Sequence, residues 1–170
     1  MDKQYPVGKL SIPDALSKEL LDQYVQLFQG FSRDFHDLVC PLTEQDLHRQ
    51  YREGSFTVRQ LAFHIADAHD QGFNRFRFGL TLDVPTIQPF PQELWAALQD
   101  YNLPVDVAVH QFKAVNDRWL HLLKHVSMPE LQREFIHPEE GKQAIWRLIS
   151  KHEWHVRHHL EHIRLALKKD

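Results

Sequence analysis

The sequence of 170 residues contains only one cysteine, Cys40. A single cysteine excludes an internal disulfide and any zinc site built from several thiolates. Only six glycines are present, and no glycine-rich stretch offers a phosphate-binding loop. No G-x-S-x-G motif predicts a nucleophilic serine either, and Cys40 is better explained as a small packing residue than as a nucleophile.

Long apolar runs and blocks of one charge are also missing. No apolar run of about 18 residues and no charged-then-apolar leader predicts a membrane span or an export signal. Lysine and arginine number 20 against 23 acidic residues, so the net charge is −3. This balance gives no reason to expect nucleic acid or a membrane as a partner. We therefore expect a cytoplasmic protein.

Apolar residues recur at helical spacing, three and four apart, in four long segments. The segments run from about Ser17 to Cys40, from Thr57 to Leu80, from Val105 to Val126 and from Lys142 to Leu167. Thr57 and Gln60 have the spacing of a capping box, which predicts where the second helix begins. The hydrophobic content of 42% is sufficient for a core.

Connections between these segments are rich in helix breakers. Pro85, Pro89 and Pro91 predict a long crossover, interrupted by a short helix over residues 93–98. Short accessory helices are predicted near residues 43–46 and 127–130, and no stretch has the alternation of a strand. The predicted fold class is therefore all-α, a four-helix bundle forming a single domain over residues 1–170, with residues 1–13 as an extended arm.

Histidine is unusually frequent, with 13 residues in the chain. On the fourth predicted helix, four histidines fall within an arc of roughly 80° that also holds apolar residues. They are His152, His155, His159 and His162. A neutral imidazole is poorly accommodated in an apolar core unless its nitrogens find a partner. A metal ion would satisfy several of them at once.

The spacing indicates how such a metal would be held. His155 and His159 lie one helical turn apart, and the second helix offers His64 or His69 as a third ligand from a facing element. Three nitrogens leave a coordination position open, as in catalytic zinc sites. The alternative is that each histidine is a hydrogen-bonded core residue, which is a better explanation for one histidine than for a row of four.

Known metal motifs fit less well. The H-E-x-x-H motif fails because Val156 stands where its second histidine is required. The inverted form H-x-x-E-H matches from His158 to His162, but His158 and Glu161 lie off the apolar arc. A di-iron bundle needs two inward E-x-x-H pairs, and the pair from Glu134 to His137 leads into a loop.

Several sequence pieces, taken together, resemble the YfiT branch of the DinB/YfiT-like superfamily. They are Tyr5-Pro6-Val7-Gly8-Lys9, Tyr51-Arg52-x-Gly54-x-Phe56-Thr57-Val58-Arg59-Gln60, His64-x-Ala66-Asp67-x-His69, Arg118-Trp119, Phe135-x-His137-Pro138 and Trp154-His155-x-x-x-His159-x-x-His162-Ile163. The pieces occur in order over nearly the whole chain, which makes the resemblance specific.

The resemblance implies a DinB-type four-helix bundle, usually a homodimer, with one divalent metal, zinc or nickel. Carried over by motif position, the metal ligands are His64, His155 and His159, which favours His64 over His69. It also implies a metal-dependent hydrolase acting on a small molecule. Relatives in the superfamily are thiol transferases, which join a low-molecular-weight thiol such as bacillithiol to an electrophile, or thiol-dependent isomerases. A non-catalytic metal-binding bundle is the remaining alternative.

This chain departs from the family pattern near the predicted site. Gly54-Ser55-Phe56 stands where Gly-Gly-Trp is usual, and Gln71 stands in place of an asparagine. His152 stands where a tyrosine or another non-histidine residue is common. His152 is therefore expected to support the site or to be an additional member of it. Three more residues are candidates for orienting a ligand or transferring a proton, namely Asp67, His69 and His162.

Overall fold

The computed structural model describes residues 3–168. Within them lie seven α-helices, one 3-10 turn and a two-stranded hairpin. The helices are α1 (Lys18–Val39), α2 (Glu44–Leu47), α3 (Val58–Thr81), α4 (Gln92–Trp95), α5 (Val105–Leu123), α6 (Met128–Leu131) and α7 (Trp146–Leu167). The 3-10 turn spans Gln99–Asn102, and the strands are β1 (Glu134–His137) and β2 (Gly141–Ala144).

The four long helices α1, α3, α5 and α7 form the predicted four-helix bundle, so the fold class is confirmed. Helix α3 packs against α5 and α7, and α1 packs against the same two helices. Consequently α1 and α3 occupy opposite corners of the bundle. The contacts of Asp67 with Gln111 and of Phe73 with Trp119 show that α3 and α5 run parallel, so the long crossover between them returns to the starting end of the bundle.

The predicted capping box determines where α3 begins. The Thr57 hydroxyl accepts a hydrogen bond from the Gln60 backbone N–H at 3.2 Å. In return, the Gln60 side-chain oxygen accepts one from the Thr57 N–H at 3.0 Å. These two bonds satisfy backbone donors that the first helical turn leaves free. His64 lies seven residues after this cap, two turns into the helix, on the same side as the buried Leu61 and Ala68.

The hairpin before α7 corrects two predictions. Residues 142–145 were expected to begin the fourth helix and no strand was expected, but β2 pairs antiparallel with β1 through Phe135↔Gln143. Phe135 is buried and Ile136 exposed, an alternation too short to stand out in the sequence. Gly141 has φ +78°, which glycine adopts readily, and this lets the chain reverse before α7.

Aromatic side chains from three helices fill the centre of the bundle. Trp119 of α5 is completely buried and meets Phe28 of α1 edge to face, with ring centroids 5.4 Å apart. Phe35 and Phe112 make a second such pair at 5.1 Å. Each buried ring contributes on the order of 2 kcal/mol through removal of apolar surface from water. This packing fixes α1 and α5 relative to the two helices that carry the histidines.

Helices α3 and α7 approach closely at Gly72. A Cβ atom at this position would overlap the imidazole ring of His152. The hydrogen at Gly72 therefore leaves room for a buried histidine between the two helices. A second close approach occurs at Gly79, where a Cβ atom would overlap Ile145.

The predicted N-terminal arm runs along α7. Residues 3–13 contain neither helix nor strand, and the Gly8 N–H donates to the Tyr5 carbonyl at 2.9 Å in a turn. The Trp154 indole N–H donates to the Gly8 carbonyl at 3.0 Å, which ties the arm to α7. Residues 1 and 2 of the predicted arm and residues 169 and 170 of the predicted domain lie outside the described residues.

Each of the four long helices has exposed polar residues opposite its buried face. From residue 3 to residue 168, no helix combines the length and the apolar composition needed to cross a bilayer.

The close approach of Gly72 to His152 predicts how Gly72→Ala changes the free energy of unfolding in two backgrounds. In the natural background, Gly72→Ala should lower the free energy of unfolding by about 1–3 kcal/mol, because the new methyl group displaces a packed ring. In a His152→Ala background the same change should be neutral or stabilising, because alanine is the better helix former. Urea unfolding of the four proteins measures both effects. An equal loss of stability in both backgrounds would contradict the close approach.

Candidate metal centre

Three histidines from two helices converge on one point. His64 of α3 lies opposite His155 and His159, which are one turn apart on α7. One ring nitrogen of each lies within 4.8 Å of those of the other two. The closest pair is His64 Nε2 and His155 Nε2, 3.0 Å apart. The ring centroids of His64 and His159 are 4.8 Å apart, in an edge-on arrangement.

These distances fit a shared metal ion. Zinc binds imidazole nitrogen at about 2.0–2.1 Å, so tetrahedral geometry places two ligand nitrogens about 3.3 Å apart. The closest two nitrogens, at 3.0 Å, lie near this separation, and all three lie within 4.8 Å of one another. The His64, His155 and His159 rings can therefore hold a divalent metal ion.

Burial keeps these imidazoles neutral, which is the form that binds metals. Desolvation lowers the pKa of His64 to about 4, and the nearby His158 adds to the effect. The pKa values of His155 and His159 also lie well below 6.5, first because of burial and then because of neighbouring histidines. At neutral pH every ring in the group offers a nitrogen lone pair.

The Nδ1 atoms of His64 and His155 are buried in surroundings that offer them no hydrogen bond within residues 3–168. A buried polar atom without a partner costs free energy. If each of these Nδ1 atoms carries the proton, the lone pairs of both rings lie on the two Nε2 atoms that face each other. Two facing lone pairs repel unless a cation lies between them.

Two aromatic residues from connecting segments pack beside His64. The Phe90 ring, from the crossover, lies parallel to His64 with centroids 5.9 Å apart. Phe56 lies on another side at 5.5 Å. A phenyl ring has no N–H or O–H donor and no strong acceptor. Phe56 and Phe90 therefore limit water access without competing with a metal ion for the His64 nitrogens.

Two cavities meet at the histidine group. The first has a volume of about 230 Å³ and extends toward Arg75 and Lys151. The second has a volume of about 330 Å³ and extends toward Tyr51 and Arg52. Both are lined by His64 and His155, so small molecules could approach the three rings from two directions.

Asp67 lies three residues after His64, but its carboxylate binds elsewhere. One oxygen accepts from the Tyr101 hydroxyl at 2.8 Å and the other from the Gln111 amide at 3.0 Å. Burial raises the pKa of Asp67, and the two hydrogen bonds oppose this. The structure therefore connects Asp67 with the 3-10 turn and α5, and does not bring it into the histidine group. Its role in proton transfer stays a prediction.

His69 is completely buried in the aromatic core, away from the three rings. Its ring centroid lies 4.6 Å from that of Phe112 and 5.0 Å from that of Trp119. Burial lowers the pKa of His69 to about 3, with an opposing effect of Asn116. His69 has the surroundings of a packing residue, and its predicted part in catalysis is not tested by this placement.

His162 and His152 flank the group along α7. His162 Nδ1 lies 3.2 Å from His159 Nδ1, and the His162 ring stacks on Tyr51 with centroids 3.8 Å apart. His152 is buried beside Trp119 and lines the first cavity. His162 is thus placed to orient His159, and His152 forms part of the cavity wall.

A second histidine cluster was missed from the sequence. His158, His159 and His162 also bring one ring nitrogen each within 4.8 Å of one another. The H-x-x-E-H spacing contained this information, but the motif's glutamate does not take part, because Glu161 pairs with Arg164. The contacts of Tyr51 with His162 and of Phe90 with His64 have no signal in helical periodicity, because both aromatic residues lie in connections.

The fold and the site define the chain as a helical-bundle protein with an inward-facing histidine group that can hold a metal ion. More specifically, residues 27–163 match the family model of the DinB superfamily, and the chain belongs to this family. A relative from Oceanobacillus iheyensis, named as a provisional metal-dependent hydrolase, is 32% identical over 169 residues, covering 99% of this chain and 98% of that protein. The predicted family is confirmed.

Solved structures agree with this assignment. YfiT from Bacillus subtilis, described as a probable metal-dependent hydrolase with an unusual four-helix bundle topology, has a TM-score of 0.91 at 28% identity. That match covers 96% of this chain and 95% of YfiT. A mycothiol-dependent maleylpyruvate isomerase has a TM-score of 0.68 at 13% identity, covering 84% of this chain and 60% of that one. The isomerase shows a shared fold only.

The buried His69 predicts acid sensitivity of the metal-free protein. Burial lowers its pKa in the folded state to about 3, from an ordinary value of 6.5. Between these values the unfolded state binds a proton that the native state excludes, so stability falls as the pH drops below 6.5. His69→Phe should reduce the slope of unfolding free energy against pH by about 1.4 kcal/mol per unit between pH 6 and 4.

Urea unfolding at several pH values measures this slope. The matched control is His110→Gln, which removes an exposed histidine from α5 and reveals any effect of histidine loss that is independent of burial. Identical slopes for His69→Phe and the unaltered protein would mean that His69 is protonated in the folded state.

Proposed function

We propose that this protein is a metal-dependent hydrolase whose divalent metal, zinc in the first instance, is held by His64, His155 and His159. The observation that carries the proposal is the convergence of three neutral imidazoles where two cavities meet. Three protein ligands leave one position for water or substrate, as in catalytic zinc sites. The names given to YfiT and to the Oceanobacillus relative support the same reaction class.

A bound divalent metal supplies a Lewis acid, which polarises a substrate carbonyl or phosphoryl oxygen and lowers the pKa of water. The chain supplies the surroundings in which this chemistry is effective. His64, His155 and His159 each direct a ring nitrogen to one point, and Phe56 and Phe90 limit access of bulk water to His64. A site that excludes water strengthens every electrostatic interaction inside it.

His162 is the best placed of the three candidates for proton handling or ligand orientation. Its Nδ1 faces His159 Nδ1 at 3.2 Å, which leaves Nε2 of His159 for the metal. Such a bond to the second nitrogen of a ligand fixes its tautomer and ring orientation. We assign His162 as a positioning residue, whereas Asp67 and His69 stay weaker candidates because both face other parts of the core.

One observation favours a second candidate, a thiol transferase that joins a low-molecular-weight thiol to an electrophile. A transferase must hold two substrates, and the structure offers separate cavities that meet at His64 and His155. A thiolate is a good ligand for zinc, so a thiol in one cavity could be activated for attack on a molecule in the other.

A non-catalytic metal binder is the third candidate. The homodimer also stays a prediction, which sedimentation can test.

Metal analysis tests the ligand assignment. The purified protein should bind about one equivalent of zinc, and His64→Ala or His159→Ala should weaken its affinity by at least about tenfold, because each removes a ligand. Metal content is measured by mass spectrometry after dialysis against a competing chelator. His110→Ala is the surface control and should retain full metal. Undiminished content in both ligand variants would refute the assignment.

An activity panel separates the three candidate functions. Ester, amide and phosphoester substrates, and several thiols paired with a model electrophile, are supplied to the zinc-loaded protein. Hydrolysis that is lost in His64→Ala and largely retained in Asp67→Asn supports the first candidate. His162→Gln should lower kcat by about tenfold with zinc still bound, because the ligand it orients becomes mobile. Thiol consumption without hydrolysis would favour the transferase, and no turnover with metal bound would favour the binder.

A further inference from the structure

The first cavity contains charged groups that the proposed reaction does not use. Along α3, His64, Ala68, Gln71 and Arg75 all line its wall. Their spacing of four, three and four residues places them on one face of the helix. Lys151 of α7 and Glu140 of the hairpin loop complete the end that lies away from the histidine group.

The positive charge of Arg75 is not neutralised. Lys151 and Glu140 form an ion pair with each other, and Glu140 also accepts from the Gln143 amide at 2.7 Å. The Arg75 guanidinium donates to the Gln88 backbone carbonyl at 2.6 Å, which is a neutral acceptor. Two cations and one anion leave this end of the cavity with a charge of +1.

One donor of Arg75 also lacks an acceptor. Its Nε is buried, and in the described chain from residue 3 to residue 168 it has no hydrogen-bond partner. Burial lowers the pKa of Arg75, with an opposing effect of Glu140. Arginine nevertheless stays charged in proteins, and a buried guanidinium usually finds a carboxylate or phosphate for its planar set of donors.

Most of the surface that lines the cavity is apolar. Ala68, Phe90 and Trp154 contribute to it, beside the polar Gln71 and His152. The volume of about 230 Å³ is below the roughly 300–1,000 Å³ of pockets for drug-sized ligands, so the occupant must be small. A molecule that fits would have a metal-binding group at one end, a short apolar body and an anionic group at the other end.

We propose that Arg75 binds a carboxylate of the substrate, so that the protein acts on small organic acids whose reactive group lies at the metal. This rests on the metal-dependent function proposed above. A carboxylate is favoured over a phosphate because the cavity end has only one uncompensated positive charge and contains Glu140, which repels a dianion. Arg75 acts in binding, and the chemical step remains with the groups at the histidine cluster.

Probe molecules can test this without knowledge of the substrate. Helical rise places the α-carbons of His64 and Arg75 about 16 Å apart. An arginine side chain on a helix reaches back toward the N-terminus by roughly 6 Å, so a short carbon chain can span the remaining distance to the histidine group. The probes are 3-mercaptopropionate, 6-mercaptohexanoate and 8-mercaptooctanoate, each paired with the mercapto-alcohol of equal length. Their thiolates bind the metal, and the members of each pair differ only in the anionic end.

Cobalt-substituted protein reports the binding, because a thiolate ligand produces a charge-transfer band. The acid should bind about tenfold more tightly than its alcohol at one of the two longer lengths, as expected for a charge-assisted hydrogen bond. Arg75→Gln should abolish this preference with cobalt still bound, and Arg75→Lys should retain part of it. Arg77→Gln is the control, because Arg77 packs on Phe73 outside the cavity.

The outcomes distinguish the two proposals. Equal binding of acids and alcohols at every length, or an acid preference that survives in Arg75→Gln, would overturn the assignment of Arg75 and leave the metal site intact. If cobalt binds to His64→Ala as well as to the unaltered protein, the metal site itself is wrong, and the Arg75 proposal fails with it.

Discussion

The contact between His64 on α3 and His155 on α7 is the constraint on which the site depends. These residues are 91 positions apart in the chain, yet their Nε2 atoms lie 3.0 Å from each other. This is a normal hydrogen-bond distance between two imidazole nitrogens, and the two rings meet because other contacts hold α3 and α7 rigidly in place. The aromatic packing around Trp119 contributes to that rigidity. The absence of a side chain at Gly72 contributes as well, because it lets α3 and α7 pack closely at His152.

Helical periodicity predicted most of this architecture, because burial of one helix face leaves a clear pattern in the sequence. The capping box at Thr57 also predicted where α3 begins, and the structure contains both of its hydrogen bonds. Resemblance to a family then selected His64 over His69, and the structure places His64 beside His155 and His69 in the aromatic core. The ligand roles themselves await metal analysis.

Two kinds of feature could not be read from the sequence. The hairpin before α7 has only four residues in each strand, too few for an alternation to compete with the helical pattern that follows. The environment of the histidines depends on residues in connections, such as Phe90 and Tyr51, whose positions are set by tertiary packing. The direction of the Asp67 carboxylate was equally hidden, because α5 supplies one of its partners.

The arrangement of the helices has a consequence for biosynthesis. Helix α7 follows the other three long helices in the chain and packs against both α1 and α3. During translation, α1, α3 and α5 emerge first and can associate, but the groove between α1 and α3 stays open until α7 is released. The nascent chain therefore exposes apolar surface to chaperones until α7 has emerged. His155 and His159 lie on α7, so the three histidines can converge only after this helix has been synthesised.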